Sequence, residues 1–486
     1  MKNCEELVSD LNIKTTIGTL SRDVTSLCFD SRQVVQQSMY IAQKGTQVDG
    51  HSFIPMAIEK GACCIILENM PKEIKKDITY IQVDNSSFAL GHIASAFYDY
   101  PSKKLKLIGI TGTNGKTTTV TLLHTLLTNL GYKVGLLSTI ENKIKDKIIP
   151  SSHTTPDAIR INELLSKMYD NGCEYCFMEV SSHAIVQDRI AGLSFVGAIF
   201  SNLTHDHLDY HKTFQEYLKA KKQFFDHLSP KAFALSNMDD ANGKVMLQNT
   251  KASKYYYSLL NGTADFKANI IDYNFNGMQL HMDGKEVWVK LSGTFNAYNL
   301  LVIYATAKLL GMDTIETLYK ISALNPAEGR FSTYQGKNNI VAIVDYAHTP
   351  DALQNVLKTI KKIKSLKQHI ITVIGCGGNR DKNKRPVMAK IGYDFSDTLI
   401  LTSDNPRNEN PEEILQDMLK GIANENNDKV FVNVDREQAI KLSISIAKPD
   451  DIILIAGKGH EKYQEIQGVK HHFDDVEIAK KYLLIT

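Results

Sequence analysis

The chain has 486 residues, 43% hydrophobic and 23% charged. That excludes a long disordered chain and gives room for two to four domains at roughly 100–200 residues each. Lys and Arg total 56 against 54 Asp and Glu, a formal charge of +2, so nothing global points to nucleic acid or a membrane surface, although a local basic pocket remains open.

The seven cysteines are an odd number scattered along the chain and do not form a secreted disulfide framework. The N-terminal MKNCEELVSD is acidic and lacks the apolar stretch of a signal peptide. No apolar run reaches the ~18 residues of a membrane helix. The expectation is a protein of the reducing cytoplasm, with no membrane insertion and no nucleic-acid partner.

Short apolar runs at 63–67, 105–110, 134–137, 175–180, 196–200, 340–344, 370–374, 399–402 and 452–456 read as strands. Periodic stretches such as 117–130, 156–169 and 350–362 read as helices. That alternation predicts βαβ units and parallel sheets, an α/β fold. Residues 265–292 alternate apolar and polar around Asn276-Gly277 and Asp283-Gly284, which predicts an antiparallel β insertion with Trp288 packed in it. Polar breaks near 98–104 and 326–337 divide the chain into 1–103, 104–333 and 334–486.

The strand ending at Ile110 runs into Thr111-Gly-Thr-Asn-Gly-Lys-Thr-Thr118 and then a helix. Glycines let backbone N–H groups curl around a phosphate, and a helix N-terminus adds its positive dipole end. Lys116 can reach β- and γ-phosphates, and the Thr117 hydroxyl can ligate Mg²⁺. Ile110 stands where the longer P-loop pattern has glycine, so the loop is a short variant beginning at Gly112.

Glu179 ends the next strand, where ligands of doubly wound sheets collect. It can hold a cation beside Thr117. Cys173-x-x-Cys176 stands alone and reads as buried thiols. Asn202-Leu-Thr-His-Asp-His-Leu-Asp-Tyr-His211 suits a hard-cation site using one histidine, or an ordinary polar loop, better than zinc. In the helical 213–228, the sequence does not separate Lys221 from Lys219 or Lys222.

Taken in order, TGTNGKTT, MEVSSHA, NLTHDHLDYH, the Ala-Lys lysine, GTFNAYN, EGRF, DYAHTP, GCGGNRDKNKRP, DNPR and AGKGHE resemble the Mur ligases, specifically the MurE type. FDSRQV and DGHSF extend the resemblance across nearly the whole chain. It implies three domains. They are an N-terminal UDP-sugar-binding domain, a central P-loop-type ATPase with a mainly parallel sheet, and a C-terminal Rossmann-like α/β domain that binds the amino acid. The implied reaction adds meso-2,6-diaminopimelate to the D-Glu γ-carboxyl of UDP-MurNAc-L-Ala-D-Glu through an acyl phosphate, using ATP and Mg²⁺ in peptidoglycan precursor synthesis by a monomeric cytoplasmic enzyme.

By the same resemblance, ATP falls to Gly112, Thr113, Asn114, Gly115, Lys116, Thr117 and Thr118, with Asn296, Asn299, Arg330 and Asp345. Thr117, Glu179, His207 and a carbamylated Lys221 match metal-site residues, and Lys116, Lys221, His207 and Glu179 carry the chemistry. A carbamate would turn a lysine into an oxygen donor suited to Mg²⁺.

Ser31, Thr46, Gln47 and Val48 match contacts to the uridine end. His153, Thr154, Thr155, Ser181, Gln187 and Arg189 match contacts nearer the pyrophosphate and muramoyl group. His153 stands where MurE enzymes commonly have asparagine, and imidazole too can donate a hydrogen bond. Arg380, Asp404, Asn405, Pro406, Arg407, Gly457 and Glu461 match diaminopimelate contacts. Arg407 suits a second carboxylate, which it can grip bidentately, and repels an ammonium-ended lysine chain. A lysine-adding or folylpolyglutamate-type ligase is the near alternative. A P-loop kinase or regulatory ATP-binding module is the distant one.

Overall fold

The computed structural model describes residues 1–45, 48–151, 153–204, 208–422 and 427–485, with backbone alone for 208, 209, 427, 484 and 485. Three principal sheets divide the architecture. In the N-terminal five-stranded sheet, Thr15–Ile17 pairs antiparallel with Thr79–Gln82, and Ala62–Leu67, Ser38–Ile41 and Ser26–Cys28 follow in parallel. The helix Ser86–Phe97 packs its Ala89, Leu90, Ile93 and Ala94 side against this sheet. Its start is fixed locally, because the Asn85 side chain accepts from the backbone of Ser87 and Phe88.

The central sheet has eleven strands. Val134–Leu137, Tyr175–Glu179, Lys106–Thr111, Gly197–Phe200, Phe233–Asn237, Ser253–Ser258 and Phe266–Asn274 run parallel in that spatial order. Helices cover both faces, so most of these strands read as continuous apolar runs. Lys116–Asn129 and Thr294–Leu309 pack on Ile108, Ile110, Phe177 and Ile199. Ala158–Asp170 and Phe214–Asp226 pack on Leu107, Cys176, Met178 and Phe200. Cys173 and Cys176 are both buried free thiols, as their apolar surroundings suggested.

The antiparallel segment forms as Phe266–Asn274, Gly277–Met282 and Lys285–Val289. It is the edge of the same sheet rather than a separate layer, since Phe266 and Lys267 pair in parallel with Tyr257 and Ser258. Asp283 and Gly284 both have positive φ, 49° and 75°, as a tight hairpin turn requires. Trp288 departs from the expectation of packing: it is 45% exposed on the last strand.

In the C-terminal sheet Val341–Asp345, Ile452–Ala456, Ile370–Ile374, Thr398–Thr402 and Val430–Asn433 run parallel, and Ser332–Gln335 pairs antiparallel at one edge. Pro350–Ile363, Lys384–Phe395 and Pro411–Leu419 cover one face, and Arg436–Ile446 and Asp475–Ile485 the other. The two helices on that second face are tied by a fully buried ion pair, Arg436 with Asp475, at 2.7 and 2.8 Å. Arg436 also donates to the carbonyls of Ala456, at 3.0 Å, and Ser403, at 3.4 Å. The start of AGKGHE and the residue before DNPR are thereby fixed to one buried cation. Among the described residues, no helix is long and apolar enough to cross a membrane.

Candidate active site

Three neighbouring parallel strands end at one edge. Their register sets Glu179 beside Ile110 and Phe200 beside Thr111. The turn after Thr111 is therefore flanked by Glu179 on one side and Ser201 on the other. Gly112 has φ +147°, and a Cβ there would lie 2.0 Å from Ser201 Oγ. Gly115 has φ +89°, and its Cβ would meet Asn299 Oδ1 at 2.7 Å. Both positions need glycine for space as well as dihedral freedom.

Neighbouring groups brace the loop. Thr113 N donates to Asn202 O at 2.8 Å, Asn114 N to Asn202 Oδ1 at 2.9 Å, and Ser201 Oγ to Asn114 O at 2.7 Å. Lys116 Nζ folds over the loop and donates to the carbonyls of Gly112 and Thr113 at 2.9 and 2.8 Å.

Glu179 is fully buried and accepts from Thr139 N at 2.8 Å and Thr139 Oγ1 at 3.2 Å. Thr155 fixes the turn beyond it, donating to Glu179 O at 2.8 Å and accepting from Ser181 N at 3.0 Å. Lys221 is 1% exposed, with Nζ 2.9 Å from Gly112 O and 3.4 Å from Thr111 Oγ1. Lys219 and Lys222 lie nearer the surface, and Lys222 pairs with Asp226. Burial thus separates three lysines that the sequence does not. His207, Thr46 and Gln47 lie outside the described residues.

A cavity of about 1030 Å³ opens over the loop. Thr113 to Thr117, Thr139, Thr154 and Glu179 form its central-domain wall. Arg330, Arg380, Asp404, Asn405, Arg407, Gly457 and Glu461 form the other. A larger cavity, about 1200 Å³, opens at the opposite end of the sheet, by Lys106, Glu174 and Val196. Ligands of doubly wound sheets gather at strand carboxyl ends, which selects the smaller cavity as the site.

An adjoining cavity of about 440 Å³ is lined by Gly115, Thr118, Phe295, Tyr298, Asn299, Arg330 and Asp345. Asn296 does not line it. It donates to Ser292 O at 2.8 Å and accepts from Asn299 at 3.1 Å, holding Asn299 in place. The Arg330 guanidinium lies 4.6 Å from the Tyr346 ring centre and 3.3 Å from Thr117 Oγ1. Asp345 accepts from Phe331 N at 2.7 Å. Burial pushes its carboxyl up to about 6, against the opposing pull of Arg330.

At the C-terminal wall, Arg407 takes a left-handed φ of 50°. It is held by Arg407 N to Glu465 O at 3.0 Å and Gln467 N to Arg407 O at 2.8 Å. Its guanidinium reaches Gly378 O at 2.8 Å and Glu465 Oε2 at 3.4 Å. The hairpin Tyr463–Ile466 with Val469–His472 thus aims Arg407. Asn405 Nδ2 donates to Glu461 Oε2 at 2.7 Å. Burial first, and then Asp404, raises the Glu461 carboxyl. Pro406 does not line the cavity. Its carbonyl instead crowds Gly378, where a Cβ would lie 1.9 Å from it.

The remaining candidates lie outside the main cavity. Arg189 is braced by Gln187 Oε1 at 2.6 and 3.0 Å and by Thr155 O at 2.8 Å, and burial lowers its guanidinium. Ser181 caps the short helix Ser182–Val186. His153 is exposed. Ser31 is buried, with Oγ 3.5 Å from Met56 Sδ, and Val48 is exposed. Sequence reasoning gave no role to Thr139, Asp351, Arg436, Lys458 or Glu465. Lys458 alone had a signal, its place inside AGKGHE.

Three sequence profiles match in tandem. They are described as "Mur ligase family, catalytic domain" over residues 23–98, "Mur ligase middle domain" over 110–307 and "Mur ligase, glutamate ligase domain" over 329–459. A protein of Cytophaga hutchinsonii named UDP-N-acetylmuramoyl-L-alanyl-D-glutamate–2,6-diaminopimelate ligase is 56% identical, over 99% of this chain and 98% of its own. A Bacteroides fragilis protein of the same name is 51% identical over 100% of both. A solved structure of a ligase with that name superposes with a TM-score of 0.70 at 32% identity, over 99% of this chain and 98% of that one.

Proposed function

The chain belongs to the Mur ligase family, and from that premise we propose that it joins 2,6-diaminopimelate to UDP-N-acetylmuramoyl-L-alanyl-D-glutamate with cleavage of ATP to ADP and phosphate. The observation that carries this reading is the shared cavity. Its central-domain wall is a phosphate loop, and its other wall brings Arg380 and Arg407 together with Asp404 and Glu461.

The chemistry follows from the poor electrophilicity of a carboxylate. A γ-carboxylate oxygen of the substrate bonds to the γ-phosphorus of ATP, the β–γ bridge breaks, and ADP leaves. The diaminopimelate amine then bonds to the acyl carbon. Phosphate leaves with the C–O electron pair, and the amine nitrogen gives up its proton. Two anions must approach each other first, so preorganised positive groups lower the barrier. Lys116, Arg330 and the loop N–H groups serve the phosphates. Asn299 and Asp345, with Asn296 behind them, serve the nucleoside.

The donor set around the loop fits a hard cation: the Thr117 hydroxyl and the Glu179 carboxylate line the same wall. With His207 and a Lys221 carbamylated by CO₂, they would hold Mg²⁺, which when bound supplies charge neutralisation between the two anions. Lys221 itself braces the loop through Gly112 O.

Ser31, Thr46, Gln47 and Val48 hold the uridine end. His153, Thr154, Thr155, Ser181, Gln187 and Arg189 hold the region toward the muramoyl group. Arg407 and Arg380 take a diaminopimelate carboxylate, and Asp404 and Glu461 face its ammonium. Domain bounds of 1–103, 104–333 and 334–486 assign one substrate chiefly to each part. A cytoplasmic monomer fits these soluble substrates.

The test supplies UDP-MurNAc-L-Ala-D-Glu, ATP and Mg²⁺, and compares meso- and LL-diaminopimelate, lysine and no acceptor. Phosphate release should require an acceptor and favour diaminopimelate. Release that ignores the acceptor would refute the ligase reading.

A further inference from the structure

Below the amino-acid wall of the cavity lies a lysine to which the proposed reaction gives no task. The Lys458 side chain is fully buried. Its Nζ is 3.0 Å from Asn405 Oδ1, 3.4 Å from Glu461 Oε2 and 3.6 Å from Asp404 Oδ1. The Tyr463 ring centre lies 5.6 Å away. Lys458 does not line the cavity, whereas Asp404, Asn405 and Glu461 do.

We propose that Lys458 is a positioning residue for amino-acid selection, a buried counter-cation that holds Asp404, Asn405 and Glu461 as one acceptor set for a substrate ammonium group. This rests on the ligase reading above.

The hydrogen bonds give the physical reason. An ammonium has only donors, so Lys458 makes Asn405 present its oxygen downward, where that oxygen also accepts from Glu465 N at 3.0 Å. The Asn405 NH₂ is then turned to Glu461 Oε2 at 2.7 Å. Glu461 is thereby clamped from two sides, with Tyr346 OH 3.4 Å from its other oxygen. Asp404 Oδ1 is buried with no hydrogen-bond partner. Asp404 accordingly keeps an electrostatic demand that Lys458, 3.6 Å away, meets only in part.

Charge balance gives the second reason. Two carboxylates against one ammonium leave a single negative charge, which an incoming ammonium neutralises. Without Lys458, two buried carboxylates would face each other, and one would take up a proton rather than stay ionised. The acceptor set would then lose much of its pull on a cation. Arg380 and Arg407 line the same wall of the cavity, so that wall offers partners to a group carrying both ammonium and carboxylate.

The experiment compares Lys458→Met, Glu461→Gln and the double variant in the full chain. It reads the KM for diaminopimelate, the KM for ATP, and binding of a fluorescent ATP analogue as the check on folding. Lys458→Met is expected to raise the diaminopimelate KM about 30-fold or more, with the ATP KM within about 3-fold of wild type. Glu461→Gln leaves Asp404 and Lys458 at net zero, and adding Lys458→Met restores the single negative charge, so the double variant should have a diaminopimelate KM no higher than that of Glu461→Gln alone.

That last comparison stands even where Lys458→Met alone does not fold. Losses that multiply across the two sites, or equal losses for ATP and diaminopimelate, would overturn the inference. Wild-type protein that releases phosphate without needing diaminopimelate would instead overturn the underlying ligase reading.

Discussion

The side-chain amide of Asn114, in the phosphate loop, donates to Asp351 Oδ2 at 3.0 Å. Asp351 is the second residue of the C-terminal-domain helix Pro350–Ile363. The bond joins two domains at the place where nucleotide would lie, since both residues line the main cavity and the smaller one beside it. Burial raises the Asp351 carboxyl, and the Asn114 hydrogen bond is one of the groups that pull it back down.

This geometry makes Asp351 a docking residue for the C-terminal domain. Asp351→Ala should raise the ATP KM about 10-fold, in line with the loss of a hydrogen bond to a carboxylate. Asp351→Asn, which keeps an acceptor oxygen, should lose less. Steady-state kinetics across the two variants check this. Equal losses would mean that charge, and not the bond, is what matters.

Arg407 is expected to decide between a dicarboxylic and a monocarboxylic acceptor. Arg407→Ala should lower kcat/KM for diaminopimelate about 100-fold, the scale of losing one partner of a buried charge pair. The ATP KM should move little, because Arg407 is aimed by the hairpin Tyr463–Ile466 with Val469–His472 and lies apart from the nucleoside cavity. Comparable losses for both substrates would argue against selection.

Asp345 predicts opposite pH responses for stability and nucleotide binding. Its carboxyl is raised from 3.8 to about 6 in the folded protein, chiefly by burial. A folded value above the unfolded one means that the native state holds its proton more tightly. The contribution to stability is therefore full below pH ~3.8 and is lost as pH climbs through about 6, a change of about 3 kcal/mol. Asp345→Asn should remove that slope from chemical unfolding curves measured between pH 4 and 7. ATP affinity should move the other way, weakening below pH 6 in wild type as the carboxylate is neutralised. A wild-type slope that survives in the variant would assign it to another group.

Lys221 carries a prediction that separates a structural lysine from a modified one. Lys221→Ala should abolish turnover while leaving the fold intact, and short carboxylic acids should restore part of the activity by supplying the lost oxygen donor. Bicarbonate should raise the activity of wild type but not of the variant. If neither effect is seen, Lys221 acts only as a brace on Gly112 O.

Local physics made part of this protein legible in the sequence. The strand Lys106–Thr111, the glycine turn and the helix Lys116–Asn129 follow from periodicity and from φ values that glycine tolerates. The Asp283-Gly284 turn follows from its own dihedrals. The ordered motifs fixed the family because each motif is a short local segment.

Tertiary structure decided everything that depends on which segments become neighbours. It buried Lys221 against Gly112 while leaving Lys219 and Lys222 nearer the surface. It left Trp288 on an outer strand, although composition alone favours burial of such a ring. Asn114 meets Asp351 across 237 positions. Arg436 reaches both the residue before DNPR and the start of AGKGHE. Lys458 finds Asp404 only because the strands Thr398–Thr402 and Ile452–Ala456 both flank Ile370–Ile374 and end at the same edge. No local propensity encodes such meetings. Parallel register and burial create them by bringing distant strand ends together in a low-dielectric place, where charges must find partners.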